Sequence, residues 1–437
     1  MKWFLAAVAI LVVAWLTGLS LVAYAMYALL ALLVLSRWVA SMWANSLDAH
    51  RECNRLSARV GEKVAVVVTV ENRGWLPIIW VLLEDLLPKH ALLHEPPNLA
   101  VQGERMQLAM LAPRGRKSIL YQLTCNRRGY YQLGPLVLET GDLFGLHRRH
   151  RVVTEPHFLL IYPKVVAIQS YNIASRRPIG EVLLTHRLYE DPTRISGVRQ
   201  YQPGDPLNRV HWRATARTGV LHSKVYEPST IAGLTLLLDF HRDVHDRKHE
   251  PLRSELAVTA AASLANVVHQ LGQQVGLVSN GRDAADRIRV EGWKKPLFTR
   301  QAAREAASMR AKSDRLEPLV VPTRRGDDQL MRILETLARV ELTDGLTLSQ
   351  LVFEAARRLP RDATVVTILP RVTAEEAIAL GSLKRQGFAV EAIINVYEEL
   401  DFADMAGLLY REGINARHLA DEAALAQICE TMALATA

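Results

Sequence analysis

The chain has 437 residues, a net charge of +8, 49% hydrophobic and 22% charged residues. That length exceeds one compact core and implies more than one domain, while the composition excludes a disordered chain. The basic residues are scattered in short pairs such as Arg148-Arg149 and Arg324-Arg325 with no nucleic-acid module, so the excess reads as a solvated face beside an anionic membrane leaflet, not as a specific nucleic-acid site.

Trp3 to Ser36 contains no charged residue. One straight helix of that length would measure roughly 50 Å against a hydrocarbon core of about 30 Å. Two transmembrane helices within residues 1–40 are expected instead, at about Trp3–Leu16 and Leu19–Leu35, turning near Thr17-Gly18. Lys2 at one end and Arg37 and Arg51 at the other place both ends in the cytoplasm, with Trp38 and Trp43 at the interface. The expectation is a multi-pass protein of the cytoplasmic membrane, in contact with lipid, its soluble domains in the cytoplasm. Cys53, Cys125 and Cys429 are too far apart and too few for a disulfide framework or a zinc site.

Residues 41–165 read as a β-rich, sandwich-like domain. Val64, Val66, Val68 and Val70 alternate onto one face, as do Ile119, Tyr121, Leu123 and Cys125. Asn72-Arg73-Gly74 and Arg128-Gly129 punctuate the strands as turns.

Residues 166–231 contain the most informative stretch, Tyr189 to Glu227. It crowds Tyr201, His211, Trp212, Tyr226 and several arginines together without helical or strand periodicity. Arg199, Tyr201, Gly204, Asp205, Arg209, Trp212, Ala216 and Arg217, with Val210 at an Ile position, resemble the hallmark of the bacterial domain of unknown function family 58. Arg127 to Leu146, with its Arg128-Gly129, Gly134-Pro135 and Asp142-x-Phe144-Gly145-Leu146 signals, is similar to the same family. The resemblance implies a membrane-anchored protein with a von Willebrand factor A-like domain that works with a MoxR-type AAA-plus ATPase.

Residues 232–437 alternate strand and helix signals, which implies an α/β doubly wound parallel sheet. Leu234–Leu238, Val275–Ser279, Ala363–Leu369 and Phe388–Ile394 are the strands. Helices are expected from a Ser254 N-cap to Gly272, after a capping box at Thr373–Glu376, and over Phe402–Arg411. The stretch 280–330 gives no clear pattern. Taken with the fold that the family resemblance implies, the expectation is a von Willebrand A-like α/β domain preceded by a small β-sandwich-like domain and a transmembrane hairpin.

Three candidate sites follow. Asp239 closes the first strand where a von Willebrand A domain would hold a divalent cation, but His241 and Asp243 replace the serines and Pro370 stands at the distant aspartate position. The cluster Asp239, His241 and Asp243 either binds a softer metal or is a solvated strand end. Arg199, Tyr201, Asp205, Arg209, Trp212 and Arg217 have the composition of a protein-binding surface. The plainer alternative buries Trp212 between the domains and pairs the arginines with Asp205. A hydrolytic site built on Asp205, His211 and His222, with Arg209 or Lys224 steadying an anionic substrate, is the enzymatic alternative. No nucleophile motif or phosphate loop accompanies it. Interaction protein is the favoured reading, and membrane-associated hydrolase the alternative.

Overall fold

The computed structural model describes residues 2–93, 95–142, 145, 147–168, 190–202, 210–228, 233–291, 316–360 and 363–428. Two apolar helices open the chain, Lys2–Leu16 and Ser20–Ser46. They meet at Thr17-Gly18, where Gly18 takes φ +71° and the Leu19 amide donates to the Ala14 carbonyl at 3.0 Å. Among the described residues one helix, Ser20–Ser46, is long and apolar enough to cross a membrane; Lys2–Leu16, about 22 Å long, is short of the hydrocarbon thickness.

The second helix does not stop near Leu35. It continues to Ser46 and lays its last turns on the β domain. Trp43, expected at the membrane interface, is 4% exposed within the core of that domain. Arg151 reaches back to the helix end, its guanidinium donating to the carbonyls of Ala44 and Asn45 at 3.1 Å and Leu47 at 3.0 Å. A cation there satisfies orphan carbonyls and the helix dipole together.

The β domain packs two four-stranded sheets. One has the order Leu47–Cys53, Lys63–Asn72, Arg116–Cys125, Leu99–Gly103; the other Arg148–Val152, Leu136–Gly141, Ile78–Asp85, Met106–Leu111. A further sheet joins Ser57–Arg59, His157–Tyr162 and Gly129–Leu133. The alternation read from the sequence holds: Val64, Val66, Val68 and Val70 are fully buried and face Ile119, Tyr121 and Leu123 inside one core.

Arg51 corrects the topology argument. Its side chain has no exposed surface and is paired with Asp85, so it does not stand at the membrane edge. Asp85 also accepts from the Tyr121 hydroxyl at 2.6 Å, and Arg51 donates to the carbonyls of Leu133 and Glu155 at 3.1 and 3.0 Å. A buried ion pair persists only when its remaining polar atoms are matched in this way.

The second domain is a six-stranded sheet in the order Leu319–Arg324, Gln274–Ser279, Gly233–Leu238, Ala363–Leu369, Ala389–Ile394, Asn415–His418. The first is antiparallel and the rest are parallel. Helices Leu252–Gln270 and Asp327–Arg339 cover one face; Leu348–Ala355, Ala374–Arg385 and Glu399–Arg411 cover the other. The two central strands are buried throughout, as continuous apolar runs between helical layers must be. The capping box at Thr373 and Glu376 is present. Ser254 is not the N-cap expected: the helix begins at Leu252, and the Ser254 hydroxyl donates back to the Glu250 carboxylate at 2.5 Å.

The Arg127-Arg128-Gly129 turn joins the domains. Arg128 donates to the Leu337 and Val340 carbonyls at 2.8 Å, at the end of helix Asp327–Arg339, while Arg127 pairs with Glu255 at 2.9 Å. Val166 adds a bond from its amide to the Ser263 hydroxyl at 2.9 Å.

Candidate functional site

The family segment forms a hairpin bearing a short helix. Glu190–Gln200 pairs antiparallel with His222–Pro228, with Arg199 opposite Ser223 and Gln200 opposite His222. Val210 bridges to Ser223 and is buried, anchoring the helix Trp212–Thr218 to the second strand. His211 is its N-cap: the ring Nδ1 accepts from the Ala214 amide at 3.0 Å, and the His211 amide donates to the His222 carbonyl at 2.8 Å. Gly219 closes the helix in the left-handed region, φ +72°, its amide donating to the Thr215 carbonyl at 2.9 Å.

Trp212 is 70% exposed at the start of this helix, so the plainer reading that packed it between the domains does not hold. Arg213, Ala216 and Arg217 are exposed on the same helix, and Val198, Val220 and Leu221 add exposed apolar surface on the hairpin. Tyr201 is half-buried, its amide donating to the Leu221 carbonyl at 2.8 Å, and Arg199 is exposed. The structure thus brings Arg199, Tyr201, Trp212 and Arg217 onto one hairpin. Gly204, Asp205 and Arg209 lie outside the described residues.

The histidines of the hydrolytic alternative are engaged locally. His211 caps a helix, and the His222 ring Nδ1 lies 2.8 Å from the Val220 carbonyl and 3.2 Å from the Thr218 hydroxyl.

Asp239 sits just beyond the strand Gly233–Leu238 and is fully buried. Its Oδ1 accepts from the Asn280 amide at 2.8 Å and the His241 amide at 3.1 Å; Oδ2 has no hydrogen-bond partner among the described residues. Burial raises its carboxyl above the usual range, partly opposed by the hydrogen bonds from Asn280 and His241. The His241 ring caps the short turn that follows, accepting from the Asp243 amide at 3.3 Å, and the Asp243 side chain is exposed. Asp239 and His241 are therefore neighbours, while Asp243 points to solvent. Among the described residues no group of three His, Cys, Asp or Glu side chains is arranged to hold a metal ion.

Sequence reasoning missed Arg128, the clamp between the domains, and Arg151, the cap of the long helix. Arg128-Gly129 was legible as a turn, but nothing in the adjacent residues reveals the carbonyls of Leu337 and Val340 that Arg128 holds, or the helix end that Arg151 caps. A second capping box, Thr347 with Gln350, was readable as Thr-x-x-Gln before an apolar run.

Residues 197–295 match the model of the family described as Protein of unknown function DUF58, and the resemblance first read from Arg199 to Arg217 stands on that match. Over 261 residues, 59% of this chain, the protein is 25% identical to Uncharacterized protein YeaD of Bacillus subtilis; the alignment spans 62% of that relative's length. Similar solved structures include the CARDB domain of a Pyrococcus furiosus protein in complex with di-metal ions, 11% identical over 26% of this chain and 91% of that one, TM-score 0.19. A PapD-like domain of human CEP192 is 16% identical over 25% and 82% of the two chains, TM-score 0.17. Likenesses of that size carry no argument here.

Proposed function

We propose that this chain is a membrane-anchored, non-enzymatic interaction protein that presents the helix Trp212–Thr218 and its hairpin to a protein partner. Trp212 carries the reading. A large aromatic side chain, 70% exposed on a helix capped at both ends and flanked by Arg213 and Arg217, has the composition of an interface hot spot.

The partner we propose, from the family resemblance, is a MoxR-type AAA-plus ATPase engaged in assembling or maturing other proteins. The strand order 3-2-1-4-5-6 in chain sequence, with its antiparallel edge strand, supports reading the α/β domain as von Willebrand A-like. The helices Lys2–Leu16 and Ser20–Ser46 would form a two-pass hairpin, leaving the soluble domains in the cytoplasm. Fold alone does not establish this function, so the test is direct. Affinity capture of the detergent-solubilised protein from its host, with and without ATP and magnesium, should enrich an AAA-plus ATPase. Capture should fail with Trp212→Ala while that variant stays folded. Equal recovery by wild type and variant would sink the assignment of the surface.

A further inference from the structure

The strand directions define one end of the sandwich. Ser36 Oγ lies 2.9 Å from His147 Nδ1, and Arg151 reaches the carbonyls of Ala44, Asn45 and Leu47. Strand Arg148–Val152 thus runs alongside the helix in the same direction, away from its apolar part. The antiparallel registers then send Leu136–Gly141 back, Ile78–Asp85 away and Met106–Leu111 back again. The connections 73–77 and 112–115 therefore stand at the end from which the apolar helix emerges. Asn72 ties them together, its side-chain amide donating to the Leu76 carbonyl at 2.8 Å and the Ala112 carbonyl at 3.1 Å. The Arg73 amide fixes them to the helix by donating to the Ser46 carbonyl at 2.8 Å.

This end is aromatic and basic. Trp75 is 72% exposed and Trp38 54% exposed. The acids nearby already have partners: Asp48 with Arg73, Glu71 with Arg116 at 2.5 Å, Glu139 with Arg148 at 3.6 Å, and Asp142 as acceptor from the His147 amide at 2.6 Å. Arg37, Arg114 and Lys117 are exposed and form no ion pair among the described residues. Arg114 is held at φ +52°, a conformation a side chain this large rarely adopts, at the tip of its turn.

We propose that this end of the sandwich is a footprint on an anionic phospholipid surface, with Trp38 and Trp75 at the headgroup boundary and Arg37, Arg114 and Lys117 against lipid phosphate. Tryptophan prefers that boundary because its ring is apolar and its N–H polar. Cations gain there from the leaflet's negative potential, and among the described residues these three have no acid paired with them. The footprint would hold the sandwich upright on its helix instead of leaving it to pivot. It rests on the membrane anchoring proposed above.

The test places an environment-sensitive fluorophore on the full chain at Trp75→Cys, and separately at the exposed Leu93→Cys as a comparison site, with Cys53, Cys125 and Cys429 replaced by alanine. Each protein is reconstituted into vesicles of phosphatidylcholine with or without phosphatidylglycerol. The probe at 75 should be blue-shifted and quenched by brominated lipid, more so with phosphatidylglycerol, and Arg114→Glu with Lys117→Glu should reverse the gain. The probe at 93 should report water throughout. Identical emission at 75 and 93, in protein that resists alkaline extraction, overturns the footprint alone. Protein removed from the vesicles by alkali overturns the anchoring and the footprint with it.

Discussion

Gly134 lies against the guanidinium of Arg51, and a β-carbon on it would overlap the terminal atoms of that group. The glycine also takes φ +88°, a conformation that side chains rarely adopt. Gly134 belongs to the Gly-Pro signal of the family-like stretch, and this contact gives the glycine a physical role. It leaves room for the buried Arg51–Asp85 pair at the centre of the sandwich.

Gly134→Ala should therefore destabilise the protein by about 3 kcal/mol, combining backbone strain of order 1 kcal/mol with displacement of a buried charge. Arg51→Met should cost about 3–5 kcal/mol because Asp85 would remain buried without its cation, and Arg51→Met with Asp85→Leu should recover much of that loss. Chemical denaturation of the three variants checks this. A double variant no more stable than Arg51→Met alone would remove the pairing argument.

Arg128 makes a parallel case at the domain junction. Its guanidinium holds carbonyls at the end of helix Asp327–Arg339 and stands 5.8 Å from the Phe240 ring centre. Desolvation lowers its pKa, opposed by Glu255. Arg128→Ala should cost about 3 kcal/mol by orphaning buried acceptors, and should loosen the domains enough to speed limited proteolysis. Arg127→Ala, which loses a more exposed partner, should cost no more than about 1 kcal/mol. Equal protease sensitivity in both variants would deny Arg128 its special role.

The legible parts of this fold are local. The alternation at Val64 to Val70 and the capping box at Thr373 and Glu376 are written in adjacent residues, and the structure contains both. What escaped depends on partners distant in the chain. Arg51 looked like a membrane-flanking charge because nothing near it reveals Asp85, thirty-four positions later. Strand Leu319–Arg324 escaped for a different reason: it contains Pro322, which argues against a strand except at a sheet edge, where this one lies. The surface around Trp212 was legible as composition, but its exposure was not, because an aromatic-rich segment reads equally well as a buried joint.

Trp212→Ala separates those two possibilities. A side chain so exposed should change stability by no more than about 0.5 kcal/mol. If the surface binds, the same substitution should cost about 2 kcal/mol of partner affinity, roughly thirtyfold. Thermal denaturation beside quantitative capture tells them apart: a destabilised Trp212→Ala variant would mean the side chain packs, and an unchanged pair of readings would mean it does neither.

Asp239 gives the last prediction a definite sign. Burial raises its carboxyl above the ordinary range, and its Oδ2 has no hydrogen-bond partner among the described residues. The folded state then binds the proton more tightly than the unfolded state does. The stability this contributes is fully present below the unfolded carboxylate pKa, near 4, and is lost as pH rises through the raised folded value. Asp239→Asn keeps an acceptor for Asn280 and His241 and removes the charge, so it should flatten the pH dependence in that window and leave the protein at least as stable at neutral pH. Thermal melts of both proteins across the window, each with and without a chelator, are the measurement. A wild-type protein that loses stability to the chelator, with an asparagine variant that does not respond, would show instead that Asp239 is a metal ligand.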